Sequence, residues 1–245
     1  MKTTTDFEVV EGIVINVQAY QENDQIITVY TDQFGKISFI GKGVKKILNK
    51  NASSCMLFAN SEFTLVLKKG LSRLIKAQNS KFYRYIHSDI EVHSYGAYIL
   101  EFFYRFQETN APSQRLYGIL KQSLEALNNG YDPRLVYLLF NTFILEFLGS
   151  GIEVNGCHIC HNPQVAGISY EGGFVCKEHL DARAQKYPPR FLKAFRMICT
   201  RTISQIDQIV IDQQDYLELI KIIDYYIEEY TGMVFKSKKF INEFL

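Results

Sequence analysis

The sequence has no apolar run long enough to span a bilayer. Its longest apolar stretch, residues 135–148, is interrupted by Asn141, Thr142 and Glu146, whereas a spanning helix needs about 20 apolar residues. The first residues also lack the basic start and apolar segment of a secretory signal. We therefore expect a cytoplasmic protein with no membrane partner, in which residues 135–148 form a buried helix.

Internal repeats, low-complexity segments and catalytic motifs are lacking as well. Gly41-Lys42-Gly43 is too short for a G-x-x-x-x-G-K-[ST] phosphate loop, and no arrangement resembles a catalytic dyad. This predicts a protein that is not an enzyme. The composition, with 14% aromatic and 22% charged residues, is that of a folded chain. Its 245 residues suffice for one large domain or two small ones, and we expect two.

Acidic residues are nearly absent from residues 36–85. This window has eleven Lys and Arg residues against a single acid, Glu62, although the whole chain has a net charge of only +1. The excess is more than solubility requires, and it predicts a surface that binds a polyanion. The candidate residues for this surface are Lys36, Lys42, Lys45, Lys46, Lys50, Lys68, Lys69 and Arg73.

The first eighty residues alternate between apolar and polar positions, which is typical of strands. Asp32-Gln33-Phe34-Gly35 suits a hairpin turn with glycine at a positive φ, and Lys69-Gly70 suits another. Five short strands of this kind match a small Greek-key barrel of the OB type, with an SH3-like barrel as the alternative. Phe39, Phe63 and Tyr83 are candidates for stacking bases, although aromatic side chains in a barrel more often form its core.

Helical periodicity begins at about Ser88. Apolar residues including Tyr95, Tyr98, Ile99, Phe102, Phe103 and Phe106 share one helical face, and Asp132-Pro133 is typical of a helix start. A later apolar stripe consists of Tyr216, Leu219, Ile220, Ile223, Ile227 and Tyr230, and Gly232 closes it.

Two cysteines and two histidines lie within residues 157–161. Cys157-x-x-Cys160-His161 has the haem-attachment spacing, but that chemistry belongs to exported proteins and leaves Cys176 and His179 unused. A thioredoxin-like redox pair is disfavoured because Asn162-Pro163, rather than a helix, follows it.

Residues 157–179, "CHICHNPQVAGISYEGGFVCKEH", have the spacing C-x2-C-x15-C-x2-H. This spacing predicts one structural zinc ion bound by Cys157, Cys160, Cys176 and His179, with the chain returning at Glu171-Gly172-Gly173. His158 and His161 remain possible replacements for the histidine ligand. A zinc hydrolase would need an open coordination position, which four protein ligands do not leave. Cys55 and Cys199 stand alone, and we expect both to be buried as small apolar groups.

The predicted fold class is thus α+β. An OB-type β-barrel at residues 1–82 precedes an α-helical domain at residues 83–245, which carries a zinc-binding insertion at about 153–181.

With these parts in this order, the chain resembles the bacterial RecO family of recombination mediators. "EGIVINVQAYQENDQIITVYTDQFGKISFIGKGVKK", residues 11–46, is similar to that family's opening: a G-I-V strand, an acidic turn residue like Asp24, a G-K-I-S turn and a K-G-x-K/R-K/R segment. The zinc segment with its E-G-G turn and "KSKKF", residues 236–240, are also similar. Family members with zinc often use four cysteines, and His179 departs from that pattern.

The resemblance implies a nucleoid-associated, non-enzymatic DNA repair protein. It would bind single- and double-stranded DNA, anneal complementary strands and, with RecR, load RecA onto strands covered by single-strand-binding protein. Lys42, Lys45, Lys46 and Lys50 match the basic segment that the family uses for DNA. An RNA-binding or translation-associated barrel protein with a zinc ribbon is the alternative, because it would show the same basic window.

Overall fold

The structure is a computed structural model that describes residues 7–68 and 70–245, and these residues form two compact units. Unit 1 consists of the described part of residues 1–130 together with residues 235–244, and unit 2 consists of residues 131–234 and Leu245. Unit 2 is therefore inserted into the sequence of unit 1, and the residues that pack together in unit 1 come from two separate parts of the chain. The predicted domain boundary between residues 82 and 83 lies where the barrel strands end and the helices begin. As a boundary between domains it stays a prediction.

Five strands of unit 1 form a closed barrel in the order β1-β2-β3-β5-β4. Only the β3–β5 pairing is parallel among the described strand pairs of the barrel. The barrel and the helices after it confirm the predicted fold class, with the barrel of the OB type. The strands are β1 (Glu8–Ala19), β2 (Gln25–Thr31), β3 (Gly35–Gly41), β4 (Asn60–Val66) and β5 (Leu71–Lys81).

The barrel core follows from the alternation of apolar residues along its strands. Phe39 and Phe63 meet inside it with their ring centroids 5.1 Å apart, and Cys55 is buried beside them, as predicted. Burial raises the pKa of the Cys55 thiol to about 12, so this cysteine stays protonated and unreactive. The hairpin between β2 and β3 has Gly35 at φ +64°, as its sequence predicts.

Seven α-helices follow the barrel strands in the described residues, and no helix there has the length and apolarity to cross a membrane. A π-helical turn, Phe102–Phe106, extends the second helix. The helices are α1 (Arg84–Ser88), α2 (Ile90–Glu101), α3 (Gln114–Asn128), α4 (Pro133–Phe147), α5 (Pro189–Thr200), α6 (Tyr216–Thr231) and α7 (Lys238–Ile241).

Residues 235–244 close unit 1 against the end of α2. The ring of Phe235 stacks on Tyr98 at a centroid distance of 4.2 Å. The carboxylate of Glu101 accepts hydrogen bonds from the backbone N–H groups of Lys236 and Ser237, both at 2.8 Å, and from the Ser237 hydroxyl at 2.6 Å. Burial raises the pKa of Glu101, but these bonds and Arg105 together outweigh it, so the pKa is below its ordinary value.

Unit 2 is built on the packing of α4 against α6. Asp132 accepts a hydrogen bond from the Arg134 N–H at 2.9 Å and caps α4, as the Asp-Pro pair predicts. Gly232, at φ +64°, ends α6 as expected. Of the stripe predicted on α6, only Tyr230 lies outside the core, with 41% of its surface exposed.

Candidate metal centre and nucleic-acid surface

A small antiparallel sheet supports the predicted zinc segment. Its strands β6 (Gly167–Ser169), β7 (Gly173–Val175) and β8 (Ala184–Lys186) lie in the order β7-β6-β8. The chain returns between β6 and β7 at Glu171-Gly172-Gly173, as predicted. Gly173 has φ +126°, and a Cβ atom there would lie 2.1 Å from the carbonyl oxygen of Glu153. Glycine is therefore required at this turn.

The two halves of the cysteine and histidine motif form separate turns. In the first, the Cys157 N–H donates to the carbonyl of Asn162 at 2.9 Å, and the His161 N–H donates to the carbonyl of Cys157 at 2.8 Å. His161 adopts a left-handed φ of +59°, which allows this tight turn. In the second, the His179 N–H donates to the carbonyl of Cys176, directly after β7. Each turn thus presents two side chains to one point.

The four predicted ligands meet at that point. The Sγ atoms of Cys157, Cys160 and Cys176 and a ring nitrogen of His179 all lie within 4.8 Å of one another. The Cys160 and Cys176 sulfurs are 3.8 Å apart, and the Nδ1 atom of His179 lies 3.5 Å from the Cys157 sulfur and 3.3 Å from the Cys176 sulfur.

These distances fit a tetrahedral metal site. Zinc bonds of about 2.3 Å to sulfur and about 2.0–2.1 Å to nitrogen require tetrahedron edges of about 3.8 Å between two sulfurs and about 3.5 Å between sulfur and nitrogen. A disulfide between Cys160 and Cys176 would need an S–S distance of about 2.05 Å. The cluster therefore suits a metal ion and does not suit a disulfide.

The pKa values of two of the thiols move in opposite directions. Burial raises the pKa of Cys157, but hydrogen bonds from the backbone at Cys160, Cys176 and Ile159 outweigh it and lower the value to about 6. The backbone at Asn162 lowers the pKa of Cys160, whereas desolvation and the neighbouring thiols raise it by more. The lowered pKa of Cys157 favours the thiolate, which is the form that binds metal.

The two remaining histidines of the motif lie outside this cluster. The ring of His158 is packed under Gly172, where an added Cβ would lie 2.8 Å from its Nδ1 atom. Its Nε2 atom is buried without a hydrogen-bond partner in the described part of the chain. His161 is exposed and acts through its backbone in the first turn. In this geometry neither replaces His179.

Six of the eight predicted DNA-binding residues have exposed side chains in unit 1. They are Lys42, Lys45, Lys46, Lys50, Lys68 and Arg73. Arg73 pairs with Ile40 in the β3–β5 register and thus lies beside the end of β3, from which the lysine-rich segment leaves the barrel. Lys69 lies outside the described residues.

The side-chain amine of Lys36, the last of the eight predicted residues, is bound within the protein. It donates to the carbonyl of Tyr104 at 2.8 Å and lies 5.9 Å from the centroid of the Tyr104 ring. Burial lowers the pKa of this amine. The role of Lys36 in DNA binding stays a prediction, and this lysine is less available to a phosphate than the exposed ones.

The lysine-rich segment, residues 42–51 after β3, is anchored near both ends. The carboxylate of Asp24 accepts a hydrogen bond from the Gly43 N–H at 2.8 Å, and the Asn51 side chain accepts one from the Ala77 N–H on β5 at 3.0 Å. In the sequence, Asp24 is distinguished only by its place in the family pattern. Its structural role is to fix the start of the lysine-rich segment.

The suggestion that barrel aromatics stack bases is wrong for the three residues named. Phe39, Phe63 and Tyr83 each have 0% of their surface exposed. Phe39 and Phe63 occupy the inner face of the barrel, so they stabilise the fold and cannot contact a ligand at the surface.

Comparison with known proteins covers nearly the whole chain. Residues 6–83 match the family model of the recombination protein O N-terminal domain, and residues 87–239 match that of the C-terminal domain. The chain is 30% identical to the DNA repair protein RecO of Listeria monocytogenes serotype 4b over 95% of this chain and 93% of that protein. It is 28% identical to the RecO protein of Bacillus cytotoxicus over 97% of each. The two family models and these relatives together match nearly the whole chain, and the chain therefore belongs to the recombination protein O family.

Proposed function

We propose that this protein is a DNA repair and recombination mediator that binds single- and double-stranded DNA without catalysing a reaction. The observation that carries the proposal is the anchored segment with exposed Lys42, Lys45, Lys46 and Lys50 on an OB-type barrel. No acidic residue occurs between Asp32 and Glu62, so no carboxylate of the segment competes with phosphate for these amines.

Lysine contacts of this kind suit a protein that meets DNA of any sequence. They neutralise phosphates, release condensed counterions and carry no base information. Lys68 and Arg73 extend the basic surface on the barrel. Neutralising phosphates on two strands at once also reduces their repulsion, which supports annealing of complementary strands.

The family relationship supports the remaining parts of the proposal. They are loading of RecA, together with RecR, onto DNA covered by single-strand-binding protein, and a DNA-associated location in the cytoplasm. Loading of RecA requires contacts with further proteins, and the basic barrel surface would supply the DNA contact on which both the loading and the location depend.

We further propose that the metal is zinc and that it has a structural role. Three thiolates and an imidazole are ligands that zinc prefers, and four protein ligands complete its tetrahedral shell. When bound, zinc would hold the two turns together. Without an open position for water, the centre does not activate a nucleophile.

Fluorescence-monitored annealing of complementary oligonucleotides tests the proposal. We expect the wild type to accelerate annealing with and without single-strand-binding protein, and the triple variant K42A/K45A/K46A to be slower. A matched control is Lys221→Ala, an exposed lysine of unit 2. Absence of acceleration, or equal rates for the wild type and the triple variant, would contradict the proposal. Preference for RNA over DNA in a competition assay would favour the RNA-binding alternative.

A further inference from the structure

Two adjacent aliphatic side chains are exposed to solvent at the centre of the lysine-rich segment. Ile47 is 97% exposed and Leu48 is 94% exposed, the highest values for large hydrophobic residues in the described part of the chain. Single exposed apolar residues are common on protein surfaces. Here two neighbours are exposed together, and neither packs on the barrel whose surface lies next to them.

The backbone on both sides of the pair is fixed. On one side, Val44 is buried, and the Lys46 N–H donates to the carbonyl of Gly43 at 3.0 Å. On the other, the Asn49 N–H donates to the carbonyl of Lys46 at 2.9 Å, and the Asn49 side chain donates to the carbonyl of Lys42 at 3.2 Å. These bonds form a compact turn that holds Ile47 and Leu48 at its tip.

Only positive charges surround this tip along the chain. Lys46 precedes the pair directly and Lys50 follows it by two residues, both exposed. Lys45 also precedes it, with its amine directed to the backbone carbonyls of Gln21 and Glu22 at 3.3 and 3.5 Å. A ligand with an apolar surface between anionic groups matches the pair and its flanking lysines, whereas the Asp24 carboxylate is engaged by the Gly43 N–H at the base of the turn.

We propose that Ile47 and Leu48 form an aliphatic wedge that inserts between stacked bases of DNA while the adjacent lysines hold the flanking phosphates. This inference rests on the proposed function and extends it from phosphate to base contacts. Apolar side chains that enter a base step unstack it at a cost of a few kcal/mol. Partial unstacking frees a base from its neighbours, so that it can reorient toward a complementary strand.

An anionic membrane surface presents similar chemistry, but the pair is too small for it. Two aliphatic side chains contain fewer carbon atoms than a myristoyl group, which alone gives only marginal and reversible membrane binding. A base step, by contrast, admits single apolar wedges such as leucine or isoleucine. The size of the apolar tip therefore favours DNA.

The test compares the wild type with the double variant I47S/L48S on oligonucleotides that contain 2-aminopurine, whose fluorescence rises when it is unstacked. We expect saturating wild-type protein to raise the fluorescence and the variant to leave it near that of free DNA. The variant should bind DNA about ten-fold more weakly. It loses the favourable burial of two apolar side chains, but it also avoids the cost of unstacking the bases, so only the difference appears in the affinity. Its dependence of affinity on salt should be unchanged, because the lysines remain.

Two controls separate the wedge from other effects. Val210→Ser removes a 76% exposed aliphatic side chain from unit 2 and should change neither signal nor affinity. K42A/K46A should lower the salt dependence and still raise the fluorescence at saturation. Equal melting temperatures should show that the serine variant is folded, as the exposure of both side chains predicts.

An equal fluorescence rise with I47S/L48S would overturn the wedge. So would a variant that binds DNA normally but loses binding to phosphatidylglycerol vesicles, because the pair would then serve a membrane. Failure of the wild type to bind DNA at any salt concentration would instead refute the proposed function, and the wedge with it.

Discussion

Replacing Cys176 by serine removes one of the four ligand atoms that converge after β7, and we expect the protein to lose its zinc. The two ligand turns would then be joined through the short strands β6 and β7 and through the His158 N–H, which donates to the carbonyl of Phe174 at 2.8 Å. The buried core there is small, consisting of Cys157, Val175 and Cys176 with Leu180 and Ala184 packed against them. So small a core contributes little to stability, and we expect the segment to be loosened without the ion.

The magnitude follows from the loop that the metal closes. The proposed ion would link Cys160 to Cys176, and a cross-link over a loop of about 15 residues contributes about 3 kcal/mol by restricting the unfolded chain. For a unit of this size, 1 kcal/mol shifts the melting temperature by roughly 4 °C. We therefore expect unit 2 to melt roughly 12 °C lower in Cys176→Ser than in the wild type.

Zinc content by mass spectrometry and melting by circular dichroism measure the two effects. The wild type should contain one zinc ion per chain, and Cys176→Ser should contain none. Cys199→Ser is the matched control, because Cys199 lies on α5 and outside the ligand cluster. Zinc retained by Cys176→Ser, or a wild type that lacks zinc after purification from zinc-replete medium and melts as the variant does, would refute the reasoning.

Three further outcomes can be measured. In K42A/K45A/K46A, the slope of log K against log salt for single-stranded DNA should decrease by about 2, since each phosphate contact contributes roughly 0.7; equal slopes in fluorescence anisotropy would move the main contact to the KSKKF segment. Glu101→Gln should lower the melting temperature at pH 7. Because the folded-state pKa of Glu101 is lowered, its stabilisation is full above about 4.5 and lost as the pH falls through the folded value, so a pH-independent difference would contradict the assignment. Asp132→Ala should destabilise unit 2 by about 1 kcal/mol through loss of the α4 cap, measured by urea unfolding, and Asp132→Asn should retain most of that cap.

Local patterns in the sequence predicted the elements that depend on near neighbours. Alternation identified the five barrel strands, and the Asp-Pro pair located the start of α4. The spacing of Cys157, Cys160, Cys176 and His179 predicted the cluster, because two turns of fixed geometry are enough to bring these side chains together. Each of these features depends on neighbours along the chain or on a spacing characteristic of metal sites.

Features that depend on distant partners were not accessible in this way. Nothing near Lys36 indicates that its amine binds the carbonyl of Tyr104, 68 residues later. Strand periodicity shows that Phe39 and Phe63 share a face with other apolar residues, but only closure of the barrel makes that face its interior. The exposure of Ile47 and Leu48 likewise follows from the turn that holds them, whereas apolar residues in a sequence usually indicate burial.

The division of unit 1 across the sequence has a consequence for its synthesis. The 104 residues of 131–234 must be translated before Phe235 can cover Tyr98 and before Glu101 receives its three hydrogen bonds. At roughly 5–20 residues per second, the end of α2 waits about 5–20 s on the ribosome for these partners. All five barrel strands are translated well before that. While unit 2 is being made, the nascent chain therefore contains a complete barrel sequence, and the end of α2 is not yet covered by residues 235–244.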